Sequence, residues 1–292
     1  MRLRPRIAHR PRAGRRPGRA PWAGRVGRAA GAGLFVLLAA TAGCSAGQAP
    51  RPDAPGSWHL VFKEEFGGSA LDSSRWATCY DWNNNGCTNA GNRESEWYQP
   101  GQVSVGGGAL TLRAERASTP GSDGRTYPWT SGMVSTGRDS WNGTPRFTFT
   151  RGYVAAAVRI PAEQGVYPAF WLSPVTRVTP PEIDVAEFLG TSRNVQMSVH
   201  WAGPKGTDQS SAGHYGPLDF PAGYHVFALD WEADSLTWLV DGQARYWMTD
   251  RANIPDVAME VLLSLAVGVP DQPPASVDSA QMQVEWVRVW QH

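Results

Sequence analysis

Glu182, Asp184 and Glu187 lie close together in Glu-Ile-Asp-Val-Ala-Glu, a run whose other members are apolar strand formers. Carboxylates in such a run need a chemical reason, because burying an unpaired charge is costly. In a β-strand successive side chains alternate faces, so Glu182 and Asp184 project together while Ile183 and Val185 point the other way, toward a core. Strict alternation sends Glu187 to that core side. One extra residue, a β-bulge at Val185-Ala186, returns Glu187 to the face of the other two, and bulges of this kind are over-represented beside active sites. Three acids aimed together supply a nucleophile, a proton donor and, in Asp184, a neighbour that raises a pKa in the set by like-charge repulsion. The other reading of the same pattern is the solvated face of an amphipathic strand.

With the bulge, the two glutamate Cα atoms are roughly 13 Å apart at ~3.3 Å per residue. Long side chains that lean together bring the carboxyl groups to about 5–6 Å, the spacing of retaining glycoside hydrolysis rather than the ~6.5–9.5 Å of inversion. Upstream stands Gln164-Gly165-Val166-Tyr167-Pro168-Ala169-Phe170-Trp171-Leu172-Ser173-Pro174, and downstream Met197-Ser198-Val199-His200-Trp201. Together with the acid motif these segments resemble glycoside hydrolase family 16, whose bulged signature has the form E-x-D-x-x-E. The resemblance implies an all-β, concanavalin-like β-jelly-roll sandwich with a concave substrate cleft. It also implies Glu182 as nucleophile, Asp184 as assisting acid and Glu187 as general acid/base, with no cofactor required.

The resemblance extends over nearly all of 57–291. Phe62-Lys63-Glu64-Glu65-Phe66-Gly67-Gly68 is similar to the family's opening strand, and Val284-Glu285-Trp286-Val287-Arg288-Val289-Trp290 to its last. Asn92-Arg93-Glu94-Ser95-Glu96-Trp97-Tyr98 resembles the cleft-lining Asn-x-Glu segment, which implies that Asn92 and Glu94 bind substrate; an Asn-rich loop also caps its own turns with such side chains. Trp171 matches a cleft position, and Tyr167 replaces the tryptophan common beside it. Aromatic rings offer apolar platforms to pyranose C–H faces, so Trp97, Trp141 and Trp201 divide between cleft and packing roles, whereas Trp238, Trp286 and Trp290 read as structural. His200 is placed to bond the leaving sugar or Glu187, or to serve as a structural histidine. Three departures bear on the substrate: Met133 stands where relatives often carry arginine, Lys63 replaces an aspartate, and Val269-Pro270-Asp271 replaces a Gly-Trp loop. Some relatives hold a structural calcium near positions matching Glu65 and Glu285.

The elements that must position these groups are short. From Ser57 onward, runs such as 58–62, 109–113, 147–150 and 153–160 alternate with turn residues, and no segment carries a sustained helical period. Asp241-Gly242 between two such runs predicts a hairpin turn. Many strands without helices mean a sandwich or jelly roll. At 292 residues, with 41% hydrophobic and 18% charged residues, the chain can build one large core. Its formal net charge of +1 conceals an arginine-rich start, so the remainder is acidic overall, which argues against a nucleic-acid partner.

Residues 1–43 read as a lipoprotein-type signal peptide, because the apolar run from Ala29 to Ala40 is shorter than the ~20 residues that span a bilayer. Thr41-Ala42-Gly43-Cys44-Ser45 is similar to a bacterial lipobox, which implies lipidation of Cys44; ordinary signal cleavage beside a bystander cysteine is the alternative. Residues 44–56 have the composition of a flexible tether, leaving 57–292 as the folded domain. Cys79 and Cys87, eight apart, suggest a disulfide outside the cytoplasm, with metal binding the weaker reading since no His lies beside them. The expectation is an extracellular, membrane-anchored monomer that cleaves a β-linked polysaccharide from within, β-1,3- or β-1,3-1,4-glucan first. A transglycosylase, a hydrolase of galactan or an agar-like polymer, and a non-catalytic lectin remain the alternatives.

Overall fold

The computed structural model describes residues 58–82 and 86–292, so the signal peptide, Cys44 and the tether lie outside the described residues. In chain order the strands are β1 His59–Glu64, β2 Glu96–Tyr98, β3 Val103–Gly106, β4 Ala109–Pro120, β5 Thr126–Ser131, β6 Met133–Ser135, β7 Gly152–Arg159 and β8 Val166–Pro174. There follow β9 Glu182–Glu187, β10 Val195–Ala202, β11 Asp208–Tyr215, β12 His225–Trp231, β13 Leu236–Val240, β14 Gln243–Met248, β15 Met259–Val267 and β16 Ser279–Gln291. Among the described residues only short 3₁₀ turns interrupt them. The expected 147–150 strand is reduced to an isolated bridge between Phe149 and Met259.

Two sheets face each other. One runs β14-β13-β12-β7-β16-β4-β5-β2, with β1 added on β16 and β3 on β4; the other runs β11-β10-β9-β8-β15-β6. Every pairing is antiparallel except β2 with β5. The two-residue Asp241-Gly242 turn joins β13 to β14 with φ of 52° and 74°, the left-handed pair a tight hairpin requires. Crossed pairings such as β16 between β7 and β4 make the sandwich a jelly roll, the class read from the sequence.

Period-two alternation explains which face of the six-stranded sheet does what. Along β8, Val166, Phe170 and Leu172 join the main core between the sheets, while Tyr167, Ala169 and Trp171 join a second apolar cluster on the outer, concave side. β15 repeats the pattern, with Val261, Leu263 and Leu265 inward and Leu262 and Ala266 outward. Both strands are therefore buried along their whole length, and the second cluster is the floor of a groove. Met133, where the resemblance expects arginine, lies fully buried in that floor cluster.

Candidate active site

β9 carries the acids, and its pairing shows the bulge directly. On β10, Ser198 faces Asp184 but Gln196 faces Glu187, so three steps on β9 oppose two on its neighbour. On β8, Trp171 faces Asp184 and Phe170 faces Ala186, the same single extra residue. Ile183, Val185 and Ala186 all pack in the main core, two consecutive residues inward, which is what an inserted residue does to a period of two. Glu182, Asp184 and Glu187 line one groove of about 410 Å³. Across the core, Trp238 Nε1 donates to the Asp184 carbonyl at 2.8 Å, giving a backbone acceptor at the edge of the bulge a partner from the opposite sheet.

The groove is built around β9 from six other regions. Tyr80, Trp82, Asn92 and Glu94 come from the segment between β1 and β2; Tyr167 and Trp171 come from β8; Arg177 and Pro180 come from the turn before β9; His200 and Asp208 come from β10 and β11; Ser264 comes from β15. Glu187 is the most fully bonded acid. Its Oε1 accepts from the Tyr167 hydroxyl, and its Oε2 lies 3.2 Å from Gln196 Nε2 and 3.3 Å from Ser198 Oγ. Ser198 also lies 2.6 Å from Asp184 Oδ2, and its single hydroxyl proton belongs to this shorter contact. A lone pair on Ser198 is thereby left for a protonated Glu187 to donate to.

His200 bridges two carboxylates, with Nε2 3.4 Å from Asp184 Oδ2 and Nδ1 3.1 Å from Asp208 Oδ2. The hydrogen bond to Asp184 leads the causes that push its pKa up to about 9, so it is an imidazolium at neutral pH. Burial, and then the Asp184 charge, pushes Glu182 up to about 8, with the His200 cation opposing. Burial alone pushes Glu187 up to about 7, against the hydrogen bond from Gln196 and the His200 charge. Both glutamates therefore retain protons well above the ordinary carboxyl range, which is what a proton donor needs near neutrality. Such a set titrates as a unit, with apparent values that belong to the group of interacting residues.

Glu94 accepts from Asn89 N at 3.0 Å and Asn92 Nδ2 at 3.4 Å, and it sits over Glu96, which is completely buried and accepts from Val267 N at 2.8 Å. Burial raises both acids, and the adjacent Glu94 raises Glu96 further.

The remaining expectations fare differently. Trp171, Tyr167, His200, Asn92 and Glu94 all line the groove. Trp97 does not line it: it is buried with its ring 5.3 Å from Tyr127, on the face of β2 opposite Glu96 and Tyr98. Trp201 packs against the main core, since alternation along β10 turns it away from His200. Cys79 and Cys87 form a disulfide. Near the first and last strands, both Glu65 oxygens are held by Arg288, at 2.8 and 3.0 Å, so a guanidinium already neutralises the carboxylate that the resemblance offered to calcium. Among the described residues no cluster of metal-binding side chains includes Glu65 or Glu285. Sequence reasoning missed Trp82, Arg177, Gln196, Ser198 and Asp208. Counting back by twos from His200 finds Ser198 and Gln196; nothing local marks Arg177.

A two-sheet sandwich whose concave face gathers a bulged trio of carboxyl groups is the architecture of a carbohydrate-cleaving enzyme of the paired-carboxylate class. The comparisons give the family: residues 92–288 match Glycosyl hydrolases family 16, and the chain belongs to it. It is 31% identical over 275 residues to Glucan endo-1,3-beta-glucosidase A1 of Niallia circulans, an alignment covering 82% of this chain and 39% of that protein. It is 30% identical over 246 residues to Endo-1,3-1,4-beta-glycanase EglC of Rhizobium meliloti (strain 1021), covering 79% and 51%. The chain thus spans roughly two-fifths to half the length of these relatives. Among solved structures, the catalytic domain of an endo-1,3-beta-glucanase (laminarinase) from Thermotoga petrophila RKU-1 superposes with a TM-score of 0.69 at 26% identity, covering 80% of this chain and 98% of that one.

Proposed function

We propose that this chain is a retaining endo-β-glucanase acting on β-1,3- or mixed β-1,3-1,4-linked glucan. The observation that carries the reading is the bulge in β9, which brings Glu187 into the groove beside Glu182 and Asp184. Membership of the family and the activities named for its relatives support the substrate class.

In the first step a Glu182 carboxylate oxygen attacks the anomeric carbon, forming a glycosyl ester, while Glu187 transfers its proton to the departing glycosidic oxygen. In the second, water attacks the same carbon, Glu187 takes the water proton, and the ester bond breaks to regenerate Glu182. Asp184 is positioned to steady Glu182, itself held by Ser198 and by the His200 cation. Tyr167 orients Glu187 for both proton transfers. Neither step calls for a metal or organic cofactor.

Hydrolysis of laminarin and lichenan by the purified 57–292 domain, with the anomeric configuration of the first product read by proton NMR, tests the proposal. A β-configured initial product from either glucan is expected. No cleavage of any β-glucan would overturn the substrate class, and an α-configured product would overturn the two-step mechanism.

The same reading places the protein outside the cytoplasm, tethered through a lipidated Cys44. The lipobox-like sequence and the Cys79–Cys87 disulfide support it. Incorporation of labelled fatty acid that is lost in Cys44→Ser tests the anchor, and a protein left unlabelled in its native host would refute it.

A further inference from the structure

Tyr80 and Trp82 form one wall of the groove, in the segment that precedes the start of the family match at residue 92. Trp82 lines the groove and remains partly exposed, with its ring against Tyr80 at 4.5 Å and tilted by 31°. Tyr80 in turn meets the edge of Trp171 at 6.1 Å, and Trp171 is the β8 partner of Asp184. An aromatic series therefore runs from β8, beside the catalytic strand, to Trp82, one ring meeting the next.

Three separate devices fix this wall. The Cys79–Cys87 disulfide closes the segment that carries it. Arg177 grips Asp81 Oδ2 through Nε at 2.7 Å and through Nη2, donates to the Trp141 carbonyl at 2.6 Å, and lays its guanidinium 4.4 Å over the Trp141 ring. The Tyr98 amide donates to the Cys87 carbonyl at 2.6 Å, tying the far end of the segment to β2. An indole held this firmly against a wet groove, with one face already covered, presents its other face as an apolar platform.

Building on the glucanase reading above, we infer that Trp82 is a stacking platform for a pyranose unit away from the scissile bond, held in position by the disulfide and the Asp81–Arg177 pair. Its ligand is a neutral β-linked sugar whose axial hydrogens form an apolar face, the surface that an aromatic ring covers best. Chain length, rather than cleavage itself, is the property it sets.

The test uses the Glu182→Gln domain, which holds substrate without turning it over, titrated calorimetrically with β-1,3-linked oligosaccharides of increasing length. Affinity is expected to step up at the length that first reaches Trp82. Adding Trp82→Ala is expected to erase that step, a loss of about tenfold in Kd, or ~1.4 kcal/mol, at that length, while Trp82→Phe retains most of it. The Cys79→Ser/Cys87→Ser pair is expected to weaken the same step. An equal loss at every length, or no loss at any, would overturn the platform. Cleavage of laminarin by the unmutated domain establishes the glucanase reading separately; if it cleaves but the step is absent, the platform alone fails. If no oligosaccharide binds at all, both fall.

Discussion

Glu182 and Glu187 are five positions apart on one strand, an odd spacing that in a regular strand puts them on opposite faces, yet both line the same groove. The extra residue between them, marked by the shifted register on both β8 and β10, is the feature on which the rest of the site depends. The reach of the bulge goes beyond the acids themselves, because Trp238 in the facing sheet bonds the Asp184 carbonyl at its edge.

Trp238→Phe keeps most of the buried volume and removes that one donor. Leaving a buried carbonyl unsatisfied costs roughly 1–3 kcal/mol. The variant is expected to lose stability by about that much and to lose activity beyond it, because a bulge free to relax no longer aims Glu187. Thermal melts and kcat on laminarin measure the two effects. A variant destabilised as expected but fully active at a temperature where it stays folded would separate the bulge from Trp238.

The pH dependence of kcat/KM reports the free enzyme. With Glu182 pushed up to about 8 and Glu187 up to about 7, the productive form, Glu182 ionised and Glu187 protonated, is the minor one-proton form, and the profile is expected to be bell-shaped with limbs near these two values. An acidic limb near the ordinary carboxyl value of 4.5 would contradict the burial that raises both groups.

The same shifts act on stability. A carboxyl whose folded pKa exceeds its unfolded value binds protons more tightly when folded, so stability falls as pH rises through the interval between the two. For Glu182 that interval runs from 4.5 to about 8, and for Glu187 from 4.5 to about 7. His200, raised from 6.5 to about 9, adds stability below 6.5 that is likewise lost as pH climbs through 9. The melting temperature should therefore decline from pH 5 to 9. Glu182→Gln, which cannot ionise, should melt higher than wild type at pH 8 by roughly 2–4 °C, about 1 kcal/mol for a domain of this size, and the gap should close toward pH 5. A gap that widens on acidification would reverse the sign and refute the assignment.

The chain's alternation made much of this site legible. The apolar partners of Glu182 and Asp184 identify the inward face of β9, and the position of Glu187 then demands a bulge. The same rule, carried one strand further, assigns Trp201 to the core from His200 and Trp97 to the far side from Glu96, and so decides between the cleft and packing roles that their aromatic rings alone left open. Trp82 and Arg177 were hidden for another reason. Their place in the groove is set by contacts between segments nearly a hundred residues apart, Asp81 with Arg177, and no local pattern encodes such a pairing.

Tyr167 stands where relatives commonly carry tryptophan, and its hydroxyl donates to Glu187 Oε1. Removing that donor with Tyr167→Phe destabilises the ionised form of Glu187, so the limb of the pH profile assigned to Glu187 should move upward, by about half a unit to one unit for a bond worth ~1 kcal/mol. A profile that keeps its limbs while kcat falls would assign Tyr167 to packing alone.

Glu96 is completely buried, and burial together with the adjacent Glu94 charge raises it well above the ordinary carboxyl range, which favours its protonated form. Glu96→Gln resembles that form and is expected to be the milder change, whereas Glu96→Ala removes the acceptor of the buried Val267 amide and should cost about 1–3 kcal/mol more. Chemical denaturation of the two variants distinguishes this from an ionised Glu96, for which the glutamine would be the damaging change.

The central claim, that Glu182 is the nucleophile of a pair completed by Glu187, is tested most directly by trapping. Incubation with an activated 2-deoxy-2-fluoro-β-glucan oligosaccharide, followed by digestion and mass spectrometry, should yield one glycosylated peptide with the sugar on Glu182, and more slowly on the same residue in Glu187→Ala. Label on any other side chain, or none while the enzyme turns over its glucan, would contradict the account.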